Sequence, residues 1–507
     1  IYDISRPVSK SANISQNLNK MNFDVNAYPD NYFFRDFNVK FSVNLDQNDN
    51  FYISFFGAND KFILASDTEV TKIGKGAKKN PLLFNILSKE YNQQQGGTLF
   101  YGRTWANGNS NSLTVSHSYF DKDVTETIET ESKYSGSFFK NERAGTGNTI
   151  LENSLKIDNT FNFLNAHKLE AGGGVYFNEA TISNTNKNYD IVDLDTLTIY
   201  NNSRAVVYVQ DIIHLFNSLD LKAGLRSNVI LNTGKIYFEP RISASYKARD
   251  YLKVNASWGI YDQFIFKVTN FDRDNNLTYL WLAAGKNIPV LKASHLVAGI
   301  NYFKNDLTIN VEGYFKRTTD LVRRVFESRT GPDMTLRDGF FPYNGIARSY
   351  GLEFFVKKDL GVHSFWISYN LGKAEEKILL PEQDRLQFVL APHDQRHEIK
   401  AAALFNIKRF YISANYVYGS GMKIIKDLFA DEVQNIYYSR FDAAVTYKFS
   451  FKKVNFETGL SIINLFNTQN LKIDNFKRIN ISPEFGYFTV YSEAVPFTPN
   501  LFLKILL

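Results

Sequence analysis

Two histidines four residues apart raise the question of chemistry in this sequence. In His393-Asp394-Gln395-Arg396-His397 both imidazoles would share one face of a helix, a spacing that can bind a metal ion. The segment follows Pro392, however, and leads into alternation at Ile399, Ala401 and Ala403. In a strand, positions i and i+4 share a face but lie ~13 Å apart, too far for one ion. Gly74-Lys75-Gly76-Ala77-Lys78-Lys79 is glycine-rich and basic. A phosphate-cradling loop needs Ser or Thr after its Lys and a helix behind it, and neither follows. Acids gather at Asp427, Asp431 and Glu432, and again at Glu375, Glu376, Glu382 and Asp384. Such carboxylates suit hard divalent cations, or are ordinary solvated loop charges. Segment 319–346 holds Arg323, Arg324, Arg329, Arg337, Phe340, Phe341 and Tyr343. Rings stack on sugars and chelate rings, and guanidinium pairs with anions. This is the preferred ligand-contacting region, although loop packing accounts for the same residues equally well. No Ser/His/Asp set or carboxylate pair has a spacing that supports catalysis. The expectation is a non-enzyme without a cofactor.

Those residues must be positioned by something, and composition narrows what. The chain has 507 residues, which by length alone suggests roughly two to four domains, with 44 Phe and 30 Tyr at a mean hydropathy of −0.29. So aromatic a soluble protein would show continuous apolar runs, but here the rings alternate with polar residues. No stretch approaches the ~18 apolar residues of a membrane helix. A chain like this can cross a membrane only as a closed barrel, which pairs every backbone group without helices. The absence of Cys excludes thiol chemistry, zinc–cysteine sites and disulfides. The net charge of +6 is spread along the chain and does not suggest nucleic acid. Ile1-Tyr2-Asp3-Ile4-Ser5-Arg6-Pro7 has neither the basic start nor the apolar stretch of an export signal.

Period two dominates. Leu219, Leu221, Ala223 and Leu225 alternate with Asp220, Lys222, Gly224 and Arg226. Ile236, Phe238, Pro240 and Ile242 alternate with Tyr237, Glu239, Arg241 and Ser243, and Leu252, Val254, Ala256 and Trp258 with Lys253, Asn255, Ser257 and Gly259. Successive side chains of a strand point to opposite faces, so each segment has one apolar and one polar face. A β-sandwich would alternate too. Strands of about 10–14 residues, aromatic ends to the apolar faces and full charges on the polar faces favour a membrane barrel. Tight turns, as at Asn107-Gly108-Asn109, Lys304-Asn305-Asp306 and Leu360-Gly361, alternate with longer segments such as 61–96, 125–153, 266–295 and 319–346. Short periplasmic turns and long external loops have this rhythm. The expectation is an all-β, transmembrane, antiparallel β-barrel with about 19 strands over residues 34–507, and residues 1–33 as the end of a preceding strand plus an external loop.

Several segments resemble TonB-dependent receptors, the gated importers of the bacterial outer membrane. Phe238-Glu239-Pro240-Arg241-Ile242-Ser243-Ala244-Ser245-Tyr246 resembles that family's Pro-Arg strand, and Leu252 to Gly259 its partner. Asn344-Gly345-Ile346-Ala347-Arg348-Ser349-Tyr350-Gly351-Leu352-Glu353, Asp394-Gln395-Arg396-His397, Tyr438-Ser439-Arg440-Phe441-Asp442 and Asn464-Leu465-Phe466-Asn467 resemble later strands in order. Such transporters have about 22 strands around a plugged lumen. The resemblance therefore implies about three strands, a plug domain and a TonB box before Ile1.

It also implies nutrient import without covalent chemistry: a siderophore, cobalamin, glycan or peptide. The ligand would meet external-loop residues such as Arg323, Arg324, Arg337, Phe340, Phe341 and Tyr343. Lys222, Arg226, Glu239 and Arg241 would face the lumen and hold the plug. Implied partners are outer-membrane lipids and lipopolysaccharide, the TonB complex through the N-terminal region, and a surface lipoprotein. Two alternatives stay open: a barrel subunit with a structural role in a larger outer-membrane complex, and a passive porin, which needs no plug.

Overall fold

The computed structural model describes residues 21–27, 31–72, 82–132, 138–163, 166–188, 191–271, 277–328, 336–379, 386–422, 437–451, 454–470, 477–482, 486–490 and 494–506. Among them every regular element is a strand. β1 (Met21–Ala27) and β2 (Asn31–Asn44) pair with upper and lower parts of the same edge of β3 (Asp49–Lys72). β4 (Leu82–Thr104), β5 (Ser110–Ser132), β6 (Phe138–Phe163), β7 (His167–Asn188), β8 (Ile191–Leu215), β9 (Leu219–Ile230), β10 (Ile236–Arg249) and β11 (Leu252–Gln263) follow, each antiparallel to the last. β12 (Ile265–Phe271) and β13 (Leu277–Ala283) form a separate hairpin.

The wall resumes with β14 (Leu291–Lys304) beside β11, then β15 (Leu307–Ser328), β16 (Leu336–Leu360) and β17 (His363–Leu379). β18 (Leu386–Leu390) and β19 (His397–Ile407) share the next edge of β17. β20 (Phe410–Gly419), β21 (Tyr438–Phe451) and β22 (Val454–Ile463) come next. After a second separate hairpin, β23 (Lys477–Ser482) with β24 (Gly486–Val490), β25 (Thr498–Leu506) pairs with β22. Taking β1 with β2 and β18 with β19 as single crossings, the twenty-one strands of the main sheet make nineteen traverses. That matches the strand number expected from the turn rhythm.

The alternation is realised in space. Val207, Val209, Leu225, Ile242, Trp258, Leu296 and Ile300 all lie exposed on one face of the sheet. A water-soluble protein could not present so large an apolar surface; facing hydrocarbon, it is the favourable arrangement. The tight turns also form as expected. Phe216 and Asn217, and Asn305 and Asp306, carry paired positive φ values, the two-residue geometry that matches strand twist. At another turn the Asp46 carboxylate accepts the backbone N–H groups of Asn48 and Asp49 at 2.7 and 2.8 Å. These hydrogen bonds, Asn48 first, hold its carboxyl below the ordinary carboxylate range.

Two expectations need correction. Many segments read as external loops continue the ladder: β6 alone spans 26 residues, and β15 runs to Ser328. Above the hydrocarbon both faces of a strand can be wet, so the apolar alternation fades while backbone pairing persists, as along Thr125-Glu126-Thr127 in β5. In addition, Met21–Ala27 pairs with β3, so this part of 1–33 is strand, not loop; residues 1–20 lie outside the described residues.

Candidate lumen site beneath an inward-folded hairpin

The face opposite the apolar one carries the site. In the β9–β10 ladder Arg226 stands across from Glu239, Arg241 from Gly224 and Lys222 from Ser243, so all four expected lumen residues share one face. Three come together. The buried Glu239 carboxylate accepts Arg241 Nη2 at 2.5 Å, Asn228 Nδ2 at 3.0 Å and the backbone N–H of Asp262 at 3.3 Å. Arg226 Nε is 4.0 Å away, within ion-pair range but beyond a hydrogen bond. Lys222 sits one ladder step nearer the periplasm and does not line this cluster.

Local sequence explains the geometry. The β10–β11 ladder ends at Arg241–Gly259. Pro240 lacks the N–H needed to extend it, and farther along β11 the Glu239 side chain accepts the Asp262 N–H instead. Arg241 lies between Gly224 and Gly259. A Cβ on Gly259 would press to 3.0–3.2 Å against Tyr261 and Arg241. The glycines leave room for the Arg241 guanidinium to lie 4.8 Å from the Tyr261 ring centre.

Arg204 on β8, which sequence reasoning missed, completes the group. It donates to Asn178 Oδ1 at 2.7 Å and stacks on Tyr176 and Phe264 at 4.5 and 4.6 Å. Arg204, Arg226, Arg241, Glu152, Glu239 and Asp262 line a cavity of about 280 Å³. Three guanidiniums thus meet three carboxylates. The group is charge-balanced but not saturated: among the described residues the Nε atoms of all three arginines and both Asp262 oxygens have no hydrogen-bond partner.

Over this cavity folds the β12–β13 hairpin. Sequence reading placed 266–295 among the external loops, and the structure turns the hairpin onto the inner face instead. Phe266, Val268, Leu280 and Leu282 are buried with Ile182, Ile230, Ile288, Val290 and Val322. Burying Phe266 and Leu282 alone contributes about 1.5–3 kcal/mol each. One strand of the hairpin touches β15 and the other touches β6, β7 and β8, so the wall curves around it. Polar clamps fix its position. Asn148 on β6 accepts the Trp281 N–H at 2.7 Å and donates to the Trp281 carbonyl at 3.0 Å. Asn202 on β8 donates to the Ala284 carbonyl at 2.7 Å. A signal was present in the chain: Ile265-Phe266-Lys267-Val268 and Tyr279-Leu280-Trp281-Leu282 are two runs of residues that favour strands, on either side of the polar Asp272-Arg273-Asp274-Asn275-Asn276.

The expected ligand-contacting residues lie elsewhere. The backbones of Arg323, Arg324, Arg337, Phe340 and Phe341 form the upper β15–β16 ladder, with Arg323 opposite Phe341, Arg324 opposite Phe340 and Glu327 opposite Arg337. Tyr343 falls in β16 beside the bulge between Leu321 and Val322. Arg329 lies outside the described residues, as do Gly74–Lys79, Glu382, Asp384, Asp427, Asp431 and Glu432. Glu375 is not a solvated loop acid. It is buried in β17 between Arg348 Nε and Lys373 Nζ, each at 2.7 Å.

Other motif residues join strands. Asp394 accepts the Ala374 N–H at 2.7 Å where β18 breaks to β19, and His397 Nδ1 meets the Tyr369 hydroxyl at 2.8 Å. The fully buried Asn464 donates to the carbonyls of Thr468 and Val495, both at 2.9 Å.

With this geometry established, comparison with known proteins gives consistent results. A family model described as TonB dependent receptor-like, beta-barrel matches residues 9–465. The outer membrane transporter YddB from Escherichia coli superposes with a TM-score of 0.56 at 9% identity, covering 100% of this chain and 84% of that one. BauA, the ferric preacinetobactin receptor from Acinetobacter baumannii, gives 0.54 at 10%, covering 95% and 79%. The ferric-catecholate import receptor Fiu from Escherichia coli K12 gives 0.51 at 12%, covering 98% and 82%. Identities this low establish a shared fold and nothing finer. Among curated proteins no sequence matches.

Proposed function

The chain belongs to the TonB-dependent receptor β-barrel family of the bacterial outer membrane, and from that premise we propose that it takes up a scarce nutrient through a plugged lumen, driven by the TonB complex. The nutrient classes open to it are siderophores, cobalamin, glycans and peptides. The barrel performs no covalent chemistry in this reading; it frames a gate. Arg226, Glu239 and Arg241, with Lys222 below them, hold the plug by hydrogen bonds and ion pairs. Ligand reaches it past Arg323, Arg324, Arg337, Phe340, Phe341 and Tyr343. A surface lipoprotein working beside the barrel would narrow the substrate class.

The observation that carries this reading is the lumen cluster itself. Arg204, Arg226, Arg241, Glu152, Glu239 and Asp262 gather on the lumen face around a cavity of about 280 Å³, a charged surface of the kind that a polar body in the lumen would meet with hydrogen bonds and ion pairs. A passive porin needs no such occupant and no energy source.

The test is accumulation of candidate nutrients by cells carrying the whole protein, with and without an intact TonB complex. Uptake that stops without TonB is the expected result. Uptake proceeding at the same rate in both strains would replace this reading with the porin. No uptake in either strain, in cells that depend on the protein for assembly of an outer-membrane complex, would point to the structural role.

A further inference from the structure

The β12–β13 hairpin lies where a lid would lie, but it is not built to swing. A lid turns on links that change conformation, and segments that open have few buried contacts. Here both links are buried. One residue, Phe264, joins β11 to β12. It is 4% exposed and meets Tyr237 edge-on, with ring centres 5.7 Å apart. In the return link to β14, Ala284, Ile288 and Val290 are buried. The Ala284 N–H donates to the Phe264 carbonyl and the Gly285 N–H to the Ile288 carbonyl, both at 2.8 Å. The two links are thus tied to each other as well as to the wall. Gly285 passes so near β8 that a Cβ there would come to 3.1 Å from the Asn201 carbonyl oxygen.

The wall is shaped to receive the hairpin. The β15 ladder is irregular between Thr318 and Val322, and Asp320 within it has a φ of +62°. That left-handed region is uncommon for any residue but Gly, and Asp is among the few that tolerate it. In a regular strand Leu321 and Val322 would point to opposite faces. The bulge re-aims them: Val322 is buried in the hairpin's apolar cluster, and Leu321 packs against the same cluster. This distortion belongs to the wall, so it is independent of the packing within the hairpin.

The hairpin's other face points away from the wall. Phe266, Val268, Leu280 and Leu282 fill the buried side, and the residues between them take the opposite side. Lys267 stands across from Trp281 there, with Nζ 5.0 Å from the ring centre. Lys267 is exposed, and Tyr279 on the same face is 48% exposed.

We propose that the hairpin is a fixed partition of the lumen that stays seated while solute passes. Solute crosses over its inner side, which makes Lys267, Tyr279 and Trp281 specificity-determining residues: two rings and one cation that the solute must pass. The inference rests on the import reading and adds to it where the passage runs and which part of the barrel does not move.

The test uses cells carrying the whole protein, with and without an intact TonB complex. The probes are a radiolabelled ferric siderophore, cobalamin, an oligosaccharide and an oligopeptide. These 507 residues include no cysteine, so a membrane-impermeant maleimide found on peptides covering 264–290 reports only an introduced thiol. During uptake, Leu282→Cys and Ala284→Cys should each react at least about tenfold more slowly than Lys267→Cys, as buried sites that react only through local opening do. A bulky polymer maleimide on the Lys267→Cys protein should abolish the TonB-dependent accumulation that the unlabelled variant supports. Reaction of Leu282→Cys and Ala284→Cys as fast as Lys267→Cys, only in cells with TonB, would make the hairpin a lid and overturn the partition. Accumulation undiminished by the polymer would move the passage elsewhere and overturn it too. Should Leu282→Cys react even without TonB, the substitution itself has loosened the hairpin, and the smaller change Ala284→Cys decides. If the unmutated protein accumulates none of the probes, the import reading fails, and the partition falls with it.

Discussion

Replacing Asn148 by Ala should free the inward hairpin while leaving the wall intact. The Asn148 side chain makes two hydrogen bonds to the Trp281 backbone, and Asn148 itself is 2% exposed. Losing a net hydrogen bond costs about 0.5–1.5 kcal/mol, and stranding a buried N–H or C=O costs about 1–3 kcal/mol. Together the change should weaken the closed hairpin by about 2–4 kcal/mol. Opening is local, because β6 keeps its backbone ladders to β5 and β7. The Trp281 amide should then exchange its hydrogen about 30- to 900-fold faster, the same free energy read as a local opening equilibrium. Hydrogen–deuterium exchange of peptides covering 277–284, with peptides from β5 and β7 as internal controls, measures it. Two outcomes refute the reasoning. An unchanged Trp281 rate would mean that the apolar contacts of Phe266 and Leu282 alone hold the hairpin. Equal acceleration in hairpin and wall peptides would mean that Asn148 supports the whole barrel and no separable latch exists.

Other perturbations separate the faces of the wall. Leu225 is exposed on the outer face, so Leu225→Arg should cost roughly 2–4 kcal/mol in a folding titration into lipid; Arg226→Leu should cost clearly less, since Glu239 keeps Arg241 and Asn228, and equal costs would reverse the assignment of faces. Glu239→Ala strands Arg241, which is about two-fifths exposed and therefore partly screened, so a loss of about 1–2 kcal/mol is expected rather than the full cost of a buried broken pair. Gly259→Val should displace Arg241 and Tyr261, both within 3.2 Å of a Cβ there, and a change in tyrosine fluorescence of the folded barrel would register it. Asn464→Ala removes two hydrogen bonds, to the carbonyls of Thr468 and Val495, and should lower the denaturant midpoint by the equivalent of about 1–3 kcal/mol.

The chain itself determines the wall. Period-two alternation in Leu219–Arg226 or Leu252–Gly259 needs only one neighbour on each side to become a lipid face and a lumen face. The tight turns carry residues such as Asn217 and Asn305, which tolerate the positive φ that they adopt. Strand number and direction, and the shared face of Lys222, Arg226, Glu239 and Arg241, follow from these local properties. So does the likeness of the Pro240–Arg241 strand to its family, since Pro240 acts on the backbone next to it.

Tertiary structure decides what fills and flanks the wall. The strand-forming runs of β12 and β13 are equally compatible with a hairpin lying outside the lumen and with one turned inward. The choice rests on Asn148, some 130 residues away, together with Ile182, Ile230 and Val322 from three other strands. Arg204 becomes a site residue only because curvature brings β8 to Phe264. Glu375, read alone, is one more loop acid; cross-strand register makes it the buried partner of Arg348 and Lys373. Period two reports the environment of a residue's two faces. It contains no information about contacts made across the lumen or between rows of adjacent strands, and those contacts define the lumen site.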